Sequence, residues 1–197
     1  HVHLALDGGD NPVGALRAAN DRQLLALMFR NARRLLRSGV TTAREMGAPA
    51  FLDLAVKEAI DSGAAVGPRL LVSARPITTC GGHCWFMGRE CDDAPSIRRA
   101  VREHAEAGAD LIKLMVSGGF MTPGSAPWIC QYGRHEIETA VFESHQRGRK
   151  IAVHAHDTTG IRHSVEAGVD TIEHCTWLTP GGVHYEEETA LRIAESG

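Results

Sequence analysis

A chain of 197 residues, 43% hydrophobic and 23% charged, has the composition of an ordinary globular protein and can bury one sizeable core. A formal net charge of -3 offers no basic face to nucleic acid, and no apolar run approaches the ~20 residues that span a bilayer, so neither is expected as a partner. The five cysteines, Cys80, Cys84, Cys91, Cys130 and Cys175, are odd in number and lack the short paired spacings of a disulfide framework or zinc ribbon, which points to a reduced, cytoplasmic protein.

The chain opens at His1 with no initiator methionine, charged segment or apolar leader, and reads as a fragment. Leu24, Leu27, Met28, Leu35 and Leu36 recur at helical spacing and predict a helix over about residues 21–38, stopped at Gly39. Val40-Thr41-Thr42-Ala43 then reads as a short buried parallel strand. The unit repeats. Leu52, Val56 and Ile60 mark a helix before strand Leu70-Leu71-Val72-Ser73. Ile97, Ala100, Val101 and Ala105 mark another, before Leu111-Ile112-Lys113-Leu114-Met115. Ile137, Ala140 and Val141 precede Ile151-Ala152-Val153-His154, and Ile161 and Val165 precede Thr171-Ile172-Glu173-His174. The junctions Ser38-Gly39-Val40-Thr41, Ala107-Gly108-Ala109-Asp110 and Ala167-Gly168-Val169-Asp170 are alike.

Strands alternating with helices imply parallel βα units in an α/β fold. Asp7-Gly8-Gly9-Asp10 is a poor match to a nucleotide-binding glycine loop, so a barrel is favoured over an open doubly wound sheet. With His1 as the end of a first strand there are six strands. A closed (β/α)8 TIM barrel has eight and typically ~250 residues, so the expectation is an incomplete barrel, strands one (its end) to six with their helices, and two more strands beyond Gly197. Pro76 to Asp93 and Ser117 to Gly133 are long loops at carboxyl ends of strands, where barrel enzymes build their sites.

Four strand ends carry chemistry. His1 and His3 are two apart and share a face, forming a metal half-site unless they are surface histidines or the remnant of a tag. Lys113 interrupts an apolar strand, where an unpaired ammonium is costly. It either reaches solvent, pairs with a carboxylate such as Glu45, or is a free amine that adds carbon dioxide to give a carbamate bridging two cations. His154 and His174 end successive strands; His156 shares the face of His154 and is the alternative ligand, while Cys175 is expected to face away. In the two long loops, His83 and Tyr132 are either surface residues without a role or donors able to bind a substrate carbonyl or carboxylate, and Trp85, Phe86 and Trp128 either wall an apolar pocket or pack the loops down.

The series His1-Val2-His3, Ile112-Lys113-Leu114, Val153-His154-Ala155-His156 and Ile172-Glu173-His174 resembles the amidohydrolase superfamily, in its imidazolonepropionase-like or prolidase-like branch. Gly81-Gly82-His83, the run from Ser117 to Pro123 and Gly160-Ile161-Arg162 extend the likeness over nearly the whole chain. The resemblance implies that residues 1–197 are the central part of a barrel. It also implies that the small β-sandwich, strands seven and eight and the strand-eight aspartate of such enzymes are absent from this chain, which alone is expected to be inactive or nearly so. It implies His1 and His3 on a first metal, His154 and His174 on a second, and carboxylated Lys113 bridging both, with a metal-bridging hydroxide as nucleophile. Zn2+ suits the donors, with Mn2+, Fe2+ or Co2+ as substitutes. The implied activity is hydrolysis of an amide-type C–N bond in a small molecule: a dipeptide, N-acyl amino acid, cyclic amide or urea-like compound. The alternatives are a lactonase or phosphotriesterase-like enzyme, or a metal-free scaffold, and relatives of this kind suggest a homo-oligomer.

Overall fold

The computed structural model describes residues 1–196. Helices α1 (Pro12–Ala18) and α2 (Asp21–Arg37) precede β1 (Thr42–Glu45), and a short 3-10 turn, Pro49–Phe51, leads into α3 (Leu52–Asp61) and β2 (Arg69–Val72). Two short strands follow, β3 (Ile77–Thr78) and β4 (Arg89–Glu90), then α4 (Ala94–Ala107) and β5 (Leu111–Met115). The chain continues through α5 (Arg134–Gln146), β6 (Lys150–Asp157), α6 (Thr158–Ala167), β7 (Thr171–Thr179), β8 (Gly182–Val183) and α7 (Glu187–Ser196).

The helices start where side chains satisfy their free N–H groups. Asn20 and Gln23 form a reciprocal capping box on α2, Asp93 and Ser96 form one on α4, and the Asp157 carboxylate accepts from Gly160 N at the start of α6. The repeated junctions have a common physical basis. Gly108 and Gly168 close α4 and α6 at φ of 99° and 78°, and the aspartate two residues later clasps the neighbouring strand. Asp110 N donates to Val72 O and Asp110 Oδ2 accepts from Val72 N; Asp170 N donates to Ile151 O and Asp170 Oδ2 accepts from Ile151 N. The same residue in the same place ties each new strand to the preceding one.

Val2 bridges Glu45 of β1, β1 pairs β2, β3 pairs β5, β5 pairs β6 and β6 pairs β7, all parallel. Ala74, at φ 60°, kinks the segment between β2 and β3, so its first half serves β1 and its second half serves β5. The result is an arc of six parallel strand positions with helices outside. Ile112, Leu114, Ile151, Val153 and Ala155 pack outward in one cluster with residues of α4, α5 and α6, while β1 and β2 pack on α2 and α3 in a second. Leu111, Lys113, Met115, Ala152, His154 and His156 fall on the opposite, inner faces, where Met46, Leu111 and Ala152 form a small plug.

Three expectations shift. The strand placed at Ile151–His154 runs on to Asp157, so His156 lies within it and not at the start of a loop. The strand placed at Val40–Ala43 begins at Thr42, because Val40 N still donates to Leu35 O and belongs to the end of α2. The sixth strand runs on to Thr179 and turns back antiparallel through β8. Helices α1 and α7, at either end of the chain, were not anticipated. Among the described residues all five cysteines are free thiols, and no helix is long and apolar enough to cross a membrane.

His104, in the last turn of α4, is fully buried edge-on to Phe51 with neither ring nitrogen partnered. Burial, with Arg75 and Arg89 nearby, holds its pKa down to about 4. The unfolded chain therefore binds the extra proton between about pH 6.5 and 4, and stability falls as pH falls through that window. In His104→Leu the slope of unfolding free energy against pH, from urea melts, is expected to shrink by about one proton.

Candidate metal centre

The inner faces of β5, β6 and β7 meet the amino-terminal residues at one end of the arc. Lys113 lies at the centre, with no exposed surface, and its Nζ has no hydrogen-bond partner among the described residues. Neither ordinary explanation for this lysine holds: it does not reach solvent, and Glu45 does not pair with it. Burial pulls its pKa from 10.5 to about 7, Glu173 and Cys84 opposing the shift.

Around it stand six imidazoles. Ring centroids are 5.3 Å apart for His1 and His3, 5.5 Å for His1 and His174, 4.7 Å for His154 and His174, and 4.5 Å for His83 and His154. His156 stacks on His174 at 4.5 Å, and the ring nitrogens of His154, His156 and His174 lie within 4.8 Å of one another. Burial is the leading cause that holds His3, His83 and His174 near pKa 4 and lowers His154 and His156 as well. These rings are therefore neutral at pH 7, the form that offers a lone pair.

The hydrogen bonds determine which nitrogen is free. His1 Nδ1 lies 2.7 Å from Glu173 Oε2, and His3 Nδ1 donates to Gly47 O at 3.2 Å, leaving Nε2 of each. His154 instead donates from Nε2 to Gly118 O at 2.9 Å and keeps Nδ1 free. Donors of this kind, converging on an unpartnered buried amine, fit a divalent metal site.

His174 reaches the cluster by an unexpected route. In the register of β6 and β7, His154 sits opposite Glu173, and His174 falls opposite Ala155, whose side chain faces the outer core. Strict alternation would turn His174 away. Positive φ values at His174 (74°) and Cys175 (51°) break the alternation and bring the ring to the inner side. Cys175 packs against the outer core, as expected of a residue facing away.

The structure gathers His1, His3, Lys113, His154 and His174, and adds His156 and His83. His83 is buried against His154, with Nδ1 3.2 Å from Thr122 Oγ1, and a Cβ on Gly119 would collide with its ring. That close approach explains a glycine at this point of the loop. Tyr132 is not gathered there: its hydroxyl donates to Cys91 O at 2.6 Å and its ring lies in the outer core, because the loop folds back under α4 and α5. Trp85 and Phe86 help to wall an open cavity of about 540 Å³ with Pro12, Met121 and Pro123, and Arg17 lies over Trp85, 5.4 Å from its centroid. Trp128 is exposed and not part of that wall. Sequence reasoning missed Glu173, whose inward position follows from its register with His154.

Residues 1–193 match the sequence pattern described as the amidohydrolase family. The chain is 28% identical over 206 residues to an ochratoxinase of Aspergillus niger, covering 90% of this chain and 42% of that protein. It is 30% identical over 198 residues to an imidazolonepropionase of Anaeromyxobacter sp. (strain K), covering 93% of this chain and 43% of that protein. A crystal structure of a Xaa-Pro dipeptidase with methionine bound in its active site superposes with a TM-score of 0.85 at 28% identity, over 100% of this chain and 50% of that one. The chain thus spans half or less of the length of these proteins.

Proposed function

The chain belongs to the amidohydrolase family, its six parallel strands forming part of a (β/α)8 barrel, and on that premise we propose that the protein hydrolyses an amide-type C–N bond in a small molecule. The substrate class is a dipeptide, N-acyl amino acid, cyclic amide or urea-like compound. What carries the proposal is the unpartnered Nζ of Lys113 amid the imidazoles: the free amine could take up carbon dioxide, and the resulting carbamate would add an anionic ligand between the two histidine pairs. His1 and His3 would hold one divalent ion through Nε2, His154 and His174 a second, with the Lys113 carbamate shared between them. Two such ions, most simply Zn2+, would supply an acidified water at neutral pH and a Lewis acid for the scissile carbonyl.

The remaining groups bind and orient. His83 is neutral, and with Thr122 donating to its Nδ1 it presents Nε2–H as a donor to a substrate carbonyl or carboxylate. His156 is buried, with Nδ1 2.8 Å from Thr176 Oγ1 and its ring edge-on to exposed Phe120; we take it as a substrate-facing group, with ligation in place of His154 as the alternative.

Elemental analysis together with turnover assays of the full-length protein that contains this chain tests this. About two metal ions per chain and hydrolysis of dipeptides or N-acyl amino acids are expected; turnover only of lactones or aryl phosphates would select the phosphotriesterase-like alternative, and a metal-free protein the scaffold. His154→Asn is expected to lose one ion and about a thousandfold in kcat, whereas His156→Asn keeps both ions and changes chiefly KM.

A further inference from the structure

We propose that Glu173 is a positioning residue for the metal ion held by His1 and His3, and that Arg44 locks Glu173 in place. The inference rests on the two-metal reading above, but its observations are separate. With the carboxylate oxygen accepting, the 2.7 Å contact to Glu173 Oε2 places a hydrogen of His1 on Nδ1 and turns Nε2 toward the site. The other oxygen is also engaged: Arg44 Nη2 donates to Glu173 Oε1 at 2.8 Å, and Thr171 Oγ1 donates to the same atom at 3.3 Å. Arg44 Nη1 is in turn tied to Thr171 Oγ1 at 3.0 Å. Glu173 is buried, and the chain of contacts runs from β1 across to β7 and on to a residue 172 positions away in sequence.

His3 fixes its ring on a neutral carbonyl, that of Gly47, and His154 on that of Gly118. His1 is held by direct hydrogen-bond contact with a carboxylate, whereas Glu45 Oε1 lies 3.9 Å from His3 Nδ1. A carboxylate behind an imidazole fixes the tautomer, restricts the ring and makes the free nitrogen a better donor to a cation. The guanidinium of Arg44 donates to the second oxygen and so holds the carboxylate aimed at His1. Both oxygens of Glu173 are engaged by His1, Arg44 and Thr171, so its effect passes through His1.

The test is zinc titration of the chelator-stripped protein against a competing chelator, resolving a dissociation constant for each of two sites. In Glu173→Gln one site is expected to weaken about 10- to 100-fold while the other keeps its wild-type constant. The double variant Glu173→Leu/Arg44→Met, which leaves no unpaired charge behind, is expected to weaken the same site. Unchanged constants at both sites, or equal loss at both in a protein whose far-ultraviolet spectrum and melting are those of the wild type, would overturn the inference alone. A wild type that takes up no zinc overturns the two-metal reading as well. Nitrogen-15 spectra of histidine in the stripped wild type need no variant to fold: His1 is expected protonated at Nδ1, and protonation at Nε2 instead would sink the idea.

Discussion

Lys113→Met is expected to make the metal-free protein harder to unfold while reducing metal-dependent turnover by at least about a thousandfold. The two effects have one cause. In the wild type Nζ has no partner, and a polar group left unpaired in a protein interior costs about 1–3 kcal/mol. Burial already pushes the amine down to about pKa 7, so much of the population at neutral pH avoids the charge without finding a hydrogen bond. Methionine has nearly the length of lysine, no polar terminus, and flexibility enough to fill the space between Leu111 and Met115 on the inner face of β5. The same change removes the amine proposed to carry, as a carbamate, the negative charge shared between the two histidine pairs. Urea midpoints after chelation and kcat with zinc restored measure the two sides. A Lys113→Met protein that is less stable than wild type would mean that the amine has a structural partner, and one that keeps its turnover would remove the carbamate from the mechanism.

How much of this was legible in sequence depends on whether local periodicity determines the feature. Strand β5 was placed to the residue, because a continuous apolar run bounded by Gly108 and a loop has one reading, and Lys113 stood out against it. His154 stands at the end of an apolar run, and His1 and His3 are marked by their spacing. Where the backbone departs from periodicity the sequence misleads. Val40 has the composition of a strand residue but spends its N–H on closing α2. Tyr132 sits in a loop that ought to face the site, yet its hydroxyl is taken by Cys91 O, a contact decided by how two distant loops fold together. Glu173 was passed over because its importance lies in a partner 172 residues away. His174 was identified on an assumed equivalence with His154 that the strand register does not supply.

That last residue carries the second large expectation. His174→Gly is expected to be at least as stable as the wild type without metal and to lose about a thousandfold in turnover. A residue with a Cβ held at φ 74° is strained by roughly 1–2 kcal/mol, and glycine is not. Against this stands the greater freedom of glycine in the unfolded chain, about 0.5–1 kcal/mol, so the net change is small or favourable. His174→Ala separates the terms: it removes the imidazole and keeps the strain, and should be less stable than His174→Gly although both are equally inactive. Zinc then reverses the order. A ligand that binds only the folded state stabilises it in proportion to its affinity, and the wild type, with His174 turned inward, binds it best. The strain at His174 would thus be a local instability that the metal ion offsets. Urea melts of the three proteins with and without zinc decide the point; if His174→Gly is no more stable than His174→Ala in the stripped protein, the backbone at this position is not strained and the account of how the ring enters the site is wrong.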